Sequence, residues 1–296
     1  MTAEGTSQDR LVLGIPKGSL QESTLDLFAR AGYRISIPER GYRPAIDDPG
    51  ITVMMFRAQE LARYVEDGVV DMGLTGYDWI CENEADVVQV AELVYAKRER
   101  KPVRWVLAVP EEGPVHKVED LEGGIVATEL VNVTRNYFRD KGVDVKVEFS
   151  WGATEGKARM LDGIVDVTET GSSLRANKLR VIDTLLESTT RLIANRNAMA
   201  AEAKRAKIEN IAMLLGGAIE AIGKVGLKMN VPADRLEELT ALLPAEKCPT
   251  VSSLTDRDWV AIEVIVEQRI ERELVPRLIR AGATGIITYP LNKVIH

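Results

Sequence analysis

The stretch Asp162–Leu179, DGIVDVTETGSSLRANKL, reads as strand, glycine-containing turn and helix. Ile164, Val165 and Val167 give a short β-branched run, and Thr170, Gly171, Ser172 and Ser173 interrupt it. Leu174, Ala176 and Leu179 then begin the apolar side of a helix. A helix opened by Gly-Ser-Ser turns unbonded backbone N–H groups and the positive end of its dipole into the turn. Thr170, Ser172 and Ser173 add hydroxyls, with the carboxylate of Glu169 beside them. Two readings fit: a phosphate cradle, or a capped helix after a buried strand, since Ser is a preferred N-cap.

The stretch has a counterpart. Asp67–Gly76 reads DGVVDMGLTG and Asp162–Gly171 reads DGIVDVTETG, so Asp, Gly, Val, Asp, Thr and Gly recur from Asp67 to Asp162, an offset of 95 residues. One strand-turn-helix unit used twice predicts two similar α/β lobes with a cleft between their strand ends, where ligands of open α/β sheets bind. The expected division is residues 1–96 with 185–210 as the first lobe, 97–184 as the second, and 211–296 as a C-terminal domain.

Composition narrows the function. The 296 residues are 45% hydrophobic and 28% charged with a net charge of −7, an ordinary globular balance. Without a long basic run, nucleic acid and anionic membrane are poor partners, and a phosphate site has to be local. Cys81 and Cys248 lie far apart with no CxxC or zinc spacing, which fits a reducing cytoplasm. Only His116 and His296 are present, which disfavours histidine triads and His-rich metal sites. No apolar run reaches the ~18 residues of a membrane span.

Along the chain, a polar tail, Met1–Asp9, precedes a strand at Leu11–Ile15. Pro16-Lys17-Gly18-Ser19 is a second strand-to-helix turn, and Lys17 on it is either a phosphate ligand or a surface lysine; the Walker spacing GxxxxGKS/T is absent. Arg57 stands at the C-terminal end of the strand Thr52–Phe56, facing the cleft or an ion pair. The run Lys97-Arg98-Glu99-Arg100-Lys101 reads as a solvated crossover between the lobes, the alternative being that some of its bases face a polyphosphate. Ser150–Lys157, SWGATEGK, is a polar loop from which Glu155 and Lys157 reach toward the cleft, and Leu185–Ala198 returns to the first lobe. One long helix is expected over Met199–Ile222. The remainder, Val225–His296, reads strand, helix, strand, strand, helix, strand, the ferredoxin-like βαββαβ order.

Together DVTETGSSLRANKL, PKGSL, DMGLTGYDWI, SWGATEGK and the tail motifs NVP, CPTVSSL and DWVAI resemble ATP phosphoribosyltransferase in its long form, the first enzyme of histidine biosynthesis, over essentially the whole chain past the tail. The resemblance implies an α/β fold: a two-lobed core like periplasmic binding proteins with a C-terminal ferredoxin-like regulatory domain. It implies transfer of phosphoribosyl from PRPP to N1 of ATP with release of pyrophosphate and with Mg²⁺ as cofactor, held mainly by substrate phosphates and with no direct protein ligand assigned. It implies Glu169 as the catalytic carboxylate and Asp166, Glu169, Thr170, Gly171, Ser172, Ser173 and Leu174 as PRPP ligands. Lys17, Gly18, Ser19, Arg57, Gly76, Asp78 and Glu155 are the expected ATP set. Histidine as feedback inhibitor is expected at Asn230, Thr250, Ser252 and Gly285, in a homo-oligomer between dimer and hexamer. Most phosphoribosyltransferases carry two adjacent acids before the phosphate loop; here the single Glu169 lies between threonines, as in this family. A non-catalytic two-lobed sensor of a small phosphate ligand is the alternative, separated by whether product forms.

Overall fold

The computed structural model describes residues 10–38, 44–95, 101–244 and 249–296. The N-terminal tail, residues 39–43 of the polar turn before the second long strand, residues 97–100 of the charged run and Cys248 lie outside the described residues. The chain forms two compact units, Met1–Ala212 and Met213–His296.

The first unit carries two five-stranded sheets of the same order. In one, Ile51–Arg57, Leu11–Lys17 and Met72–Gly76 run parallel, followed by antiparallel Thr190–Ala194 and then Val88–Leu93. In the other, Lys146–Phe149, Ile125–Thr128 and Gly163–Thr168 run parallel, followed by antiparallel Val103–Pro110 and then Leu179–Ser188. Both copies of the repeat therefore occupy the third place in their sheets. Met72–Gly76 is buried at every residue, as a central strand covered on both faces must be. The helix Ala58–Glu66 lays Leu61 and Val65, one turn apart, onto this sheet with no exposure.

The repeat has a physical core that its residue matching hides. Val12 N donates to Asp71 Oδ2 (2.8 Å) while Asp71 N donates to Val12 O (2.9 Å). Ile125 N donates to Asp162 Oδ2 (2.8 Å) while Asp162 N donates to Ile125 O (3.1 Å). Asp71 and Asp162 are thus the equivalent residues, each clasping the strand in the second place of its sheet. From Asp71 the next helix begins at Tyr77; from Asp162 it begins at Ser172, four residues later in relative position. The 95-residue offset aligns the helix starts, whereas the strand starts are 91 apart. The four extra residues lengthen the second copy between clasp and helix, where the turn Glu169–Gly171 is formed.

Two expectations need correction. Residues 185–188 do not return to the first sheet: they complete the ten-residue strand Leu179–Ser188, with Leu186 opposite Trp105 and Ser188 opposite Val103. Register shifts at Val181/Asp183 and Thr184/Leu186 break the two-residue alternation by which such a strand would be read. The single helix over Met199–Ile222 is two, Arg196–Ala200 and Glu202–Ala221, parted by extended Ala201. Asn195 opens the shorter one by accepting from Asn197 N (2.8 Å) and Ala198 N (3.3 Å).

The second unit has the expected βαββαβ order. Its antiparallel sheet runs Thr250–Ser253, Trp259–Glu267, Lys224–Pro232, Thr284–Pro290. Leu227, Met229, Val231 and Ile262 on one face meet Leu239 and Leu278 of the helices Leu236–Ala241 and Gln268–Arg280, all without exposure. Each such side chain contributes about 1.5–3 kcal/mol of apolar burial. Asn230 alternates with Met229 and Val231 and so lies on the opposite face.

Candidate active site

A cavity of about 590 Å³ opens between the two sheets of the first unit, within the range of small-molecule sites. Its first-lobe wall is made by the turn after Leu11–Lys17 and by the ends of Ile51–Arg57 and Met72–Gly76, which bring in Lys17, Gly18, Ser19, Arg57, Gly76 and Asp78. Its second-lobe wall includes Trp105, Glu129, Asp166 and Val167. Trp79 and Trp105, both on the cavity wall, meet edge to face with centroids 6.2 Å apart and give it an aromatic side.

Asp78 is the hub of that aromatic side. Its Oδ2 accepts from Trp105 Nε1 (2.7 Å), its Oδ1 accepts from Trp79 N (2.9 Å), and its own N donates to Ser188 Oγ (3.1 Å). Burial pushes its carboxyl pKa up, and the donated hydrogen bonds oppose the rise. A Cβ on Gly76 would stand 2.0 Å from Asp78 Oδ1, so the close approach requires glycine there. Arg57 lies over the Trp151 ring at 5.3 Å, a cation–π contact from the first lobe to the SWG loop of the second.

The residues Glu169–Leu174 do not line the cavity; they follow the strand that carries Asp166. Gly171 caps the short helix Ser172–Ala176 at φ 71°, ψ 9°, and its N donates to Thr168 Oγ1 (2.8 Å). The amides of Ser173 and Leu174 lie in the first turn, where no intrahelical acceptor exists. Ser173 Oγ donates to Glu155 Oε1 (2.6 Å), so Glu155 stands against this loop and, unlike the other expected ATP residues, does not line the cavity. Lys157 Nζ donates to Ser150 Oγ (2.7 Å) and steadies the base of the SWG loop.

Burial pushes Asp166 up to about 6; a hydrogen bond from Val167 N opposes this, and Glu155 and Glu129 add repulsion. A carboxyl raised on folding binds more protons folded than unfolded between about pH 4 and pH 6, so stability falls as pH rises through that window. Asp166→Asn is therefore expected to melt higher than wild type at about pH 7, with the gain vanishing toward about pH 4. Thermal melts of substrate-free and metal-free protein across this range check it; a gain independent of pH would show that the carboxylate is not strained.

A family model described as ATP phosphoribosyltransferase matches residues 57–217, and one for its C-terminal domain matches residues 221–293. The chain belongs to the ATP phosphoribosyltransferase family. Relatives bearing that name from Chlorobium chlorochromatii and Solibacter usitatus are 59% and 58% identical over 286 residues, 96% of this chain and 97% and 99% of theirs. A solved chain of the ATP phosphoribosyl transferase (HisG:HisZ) complex from Thermotoga maritima matches at 27% identity and a TM-score of 0.59, covering 69% of this chain and 98% of that one. Membership makes this ATP phosphoribosyltransferase family protein a transferase of histidine biosynthesis and sets aside the non-catalytic sensor.

Sequence reasoning missed Glu129 and Trp105 as cavity residues in this family member. A Trp within a buried strand is a signal, because its N–H needs a partner. Asp78 is that partner, but it lies 27 residues away on another element. Glu129 carries no local signal; the parallel pairing of Ile125–Thr128 with Gly163–Thr168 brings it to the wall beside Asp166. No described helix is long and apolar enough to cross a membrane.

Proposed function

We propose that the protein transfers the phosphoribosyl group of PRPP to N1 of the ATP adenine, releasing pyrophosphate, in the cytoplasm as the first step of L-histidine biosynthesis. The observation that carries this reading is the shared strand: Asp166 on the wall of an aromatic and cationic cavity leads within five residues to Gly171, which opens the loop helix. The bond from C1′ to the pyrophosphate oxygen breaks as the bond from C1′ to N1 forms, so positive charge develops on the ribose and negative charge on the leaving group. The Thr170–Leu174 turn holds the 5′-phosphate through backbone amides and hydroxyls, and Glu169 faces the ribose. Lys17, Gly18, Ser19 and Arg57 meet the ATP phosphates or pyrophosphate. Asp78 and Gly76 keep the aromatic side in place for adenine, and Glu155 orients Ser173. N1 is already a nucleophile, so positioning supplies much of the rate.

Mg²⁺, when bound, offsets the charge of the leaving pyrophosphate. Among the described residues no group of three or more His, Cys, Asp or Glu side chains is arranged to hold a metal. An ion that keeps its waters and is bound by substrate phosphates with one or two carboxylates needs no such cage, and Glu129 and Asp166 are the acids on the wall. The test of the activity is product identity: NMR of the reaction mixture should show ribosylation at N1, with one pyrophosphate released per product. Pyrophosphate release without a ribosylated adenine would overturn it.

Histidine inhibition belongs to the same reading, in an assembly between dimer and hexamer. Asn230 and Ser252 flank Ala261 in one cross-strand row, and Thr250 shares their face. A Cβ built on Gly285 would lie 3.6 Å from Asn230 Nδ2, so that corner has room beside an amide. A ligand there inhibits only by preferring one global state. Asn230→Leu with Thr250→Val is expected to abolish histidine inhibition while most uninhibited activity survives. Inhibition at wild-type histidine concentrations would place the pocket elsewhere.

A further inference from the structure

We propose that Glu82, which does not line the cavity, is a positioning residue for the transfer reaction: from the first lobe it caps the second-lobe helix Val131–Lys141 and fixes the cavity edge carried by Glu129. The proposal rests on the transferase reading above.

The helix Val131–Lys141 starts at Leu130 without a side-chain cap of its own. The first amides of any helix need acceptors. Here they come from the other lobe: Asn132 N donates to Glu82 Oε1 (3.0 Å) and Oε2 (2.9 Å), and Val133 N donates to Oε2 (3.1 Å). The contact is reciprocal, because Asn132 Nδ2 donates to Glu82 O (2.9 Å). A carboxylate at a helix N-terminus is also favoured by the helix dipole. Glu82 ends the six-residue helix Tyr77–Glu82, whose other end grips the same lobe through Asp78 and Trp105. A helix bonded into the second lobe at both ends acts as a pin between the lobes.

The cap is relayed to the site by bonds already formed. Thr128 Oγ1 accepts from Leu130 N (3.0 Å), which holds the segment entering the capped helix. Glu129, between them, lines the cavity and accepts from Gly152 N (3.2 Å). Gly152 adjoins Trp151, which lies under Arg57 of the first lobe. The path leaves the first lobe at Glu82 and returns to it at Arg57, with Glu129 in the middle. Separation of the lobes at this edge has to expose the helix start, so an intact cap holds the Glu129 wall and the Arg57 wall at a fixed spacing.

The test compares Glu82→Leu, which removes both acceptors, with Glu82→Gln, which keeps one oxygen and the shape. Steady-state kinetics with ATP, PRPP and Mg²⁺ are normalised to folded protein, and amide exchange is followed at Asn132 and Val133. Glu82→Leu should lose roughly 10- to 100-fold in kcat/KM, with kcat itself reduced, because misplacement of distant groups costs that much. Glu82→Gln should recover part of the loss, and exchange at Asn132 and Val133 should rise in the same order. Wild-type kcat and KM in folded Glu82→Leu, with or without faster exchange, overturn the proposal. If Glu82→Leu does not fold, wild-type kinetics in Glu82→Gln with faster exchange overturn it equally. Absence of product from the wild-type protein itself instead overturns the transferase reading.

Discussion

Gly171→Val is expected to lower kcat/KM for PRPP by about two orders of magnitude or more, because it removes the close backbone approach that a phosphate cradle needs. Gly171 sits at φ 71°, and its added Cβ would stand 3.0 Å from Arg175 Nη1. A left-handed conformation costs a residue with a Cβ about 1–2 kcal/mol, so Val adds strain to obstruction. Gly171→Asn separates the two, since Asn tolerates that conformation but still places a side chain in the cradle. Both variants should lose PRPP affinity measured by calorimetry, the Asn variant with less loss of thermal stability, and both should keep ATP binding. Unchanged PRPP affinity in both would remove the phosphate from this loop.

Glu169→Gln should reduce kcat by roughly 10²- to 10³-fold, the scale on which one aligned electrostatic group acts in a transition state. Glu169 is exposed in the turn between the strand Gly163–Thr168 and the loop helix. Replacing an exposed carboxylate by its isosteric amide changes stability little. On the proposed reading the developing positive charge on the ribose then loses the carboxylate that faces it, while the turn keeps its shape. Kinetics per folded molecule beside a thermal melt decide the matter. A lower melting temperature with unchanged turnover would make Glu169 a structural residue.

Glu169 and Gly171 are legible in the sequence because a strand-turn-helix unit is local. Glycine at a left-handed position, hydroxyls beside it and a β-branched strand before it all lie within ten residues. The tail was legible for the same reason: its strands alternate, so Val225, Leu227, Met229 and Val231 mark the core face directly. Legibility fails where distant elements meet. The match of Asp67 with Asp162 aligned helix starts and hid the true clasp pair, Asp71 and Asp162, which only the hydrogen bonds to Val12 and Ile125 reveal. The bulged strand Leu179–Ser188 carries no clean alternation, and Glu82 looks like any charged residue at a helix end until Asn132, 50 residues on, meets it. Asp78 was expected among the ATP residues; it reaches the cavity wall, where one carboxylate oxygen accepts from the Trp105 indole and the other from the Trp79 backbone amide.

The central claim is a chemical one: a two-lobed α/β core of this family joins PRPP to ATP. The most direct measurement is incubation of the full chain with ATP, PRPP and Mg²⁺ while the ultraviolet absorbance of phosphoribosyl-ATP and the tryptophan fluorescence are followed together. Continuous growth of product absorbance that requires all three additions is the predicted result. A fluorescence change on adding ATP or PRPP with no product at any time would contradict it and leave a ligand-binding protein.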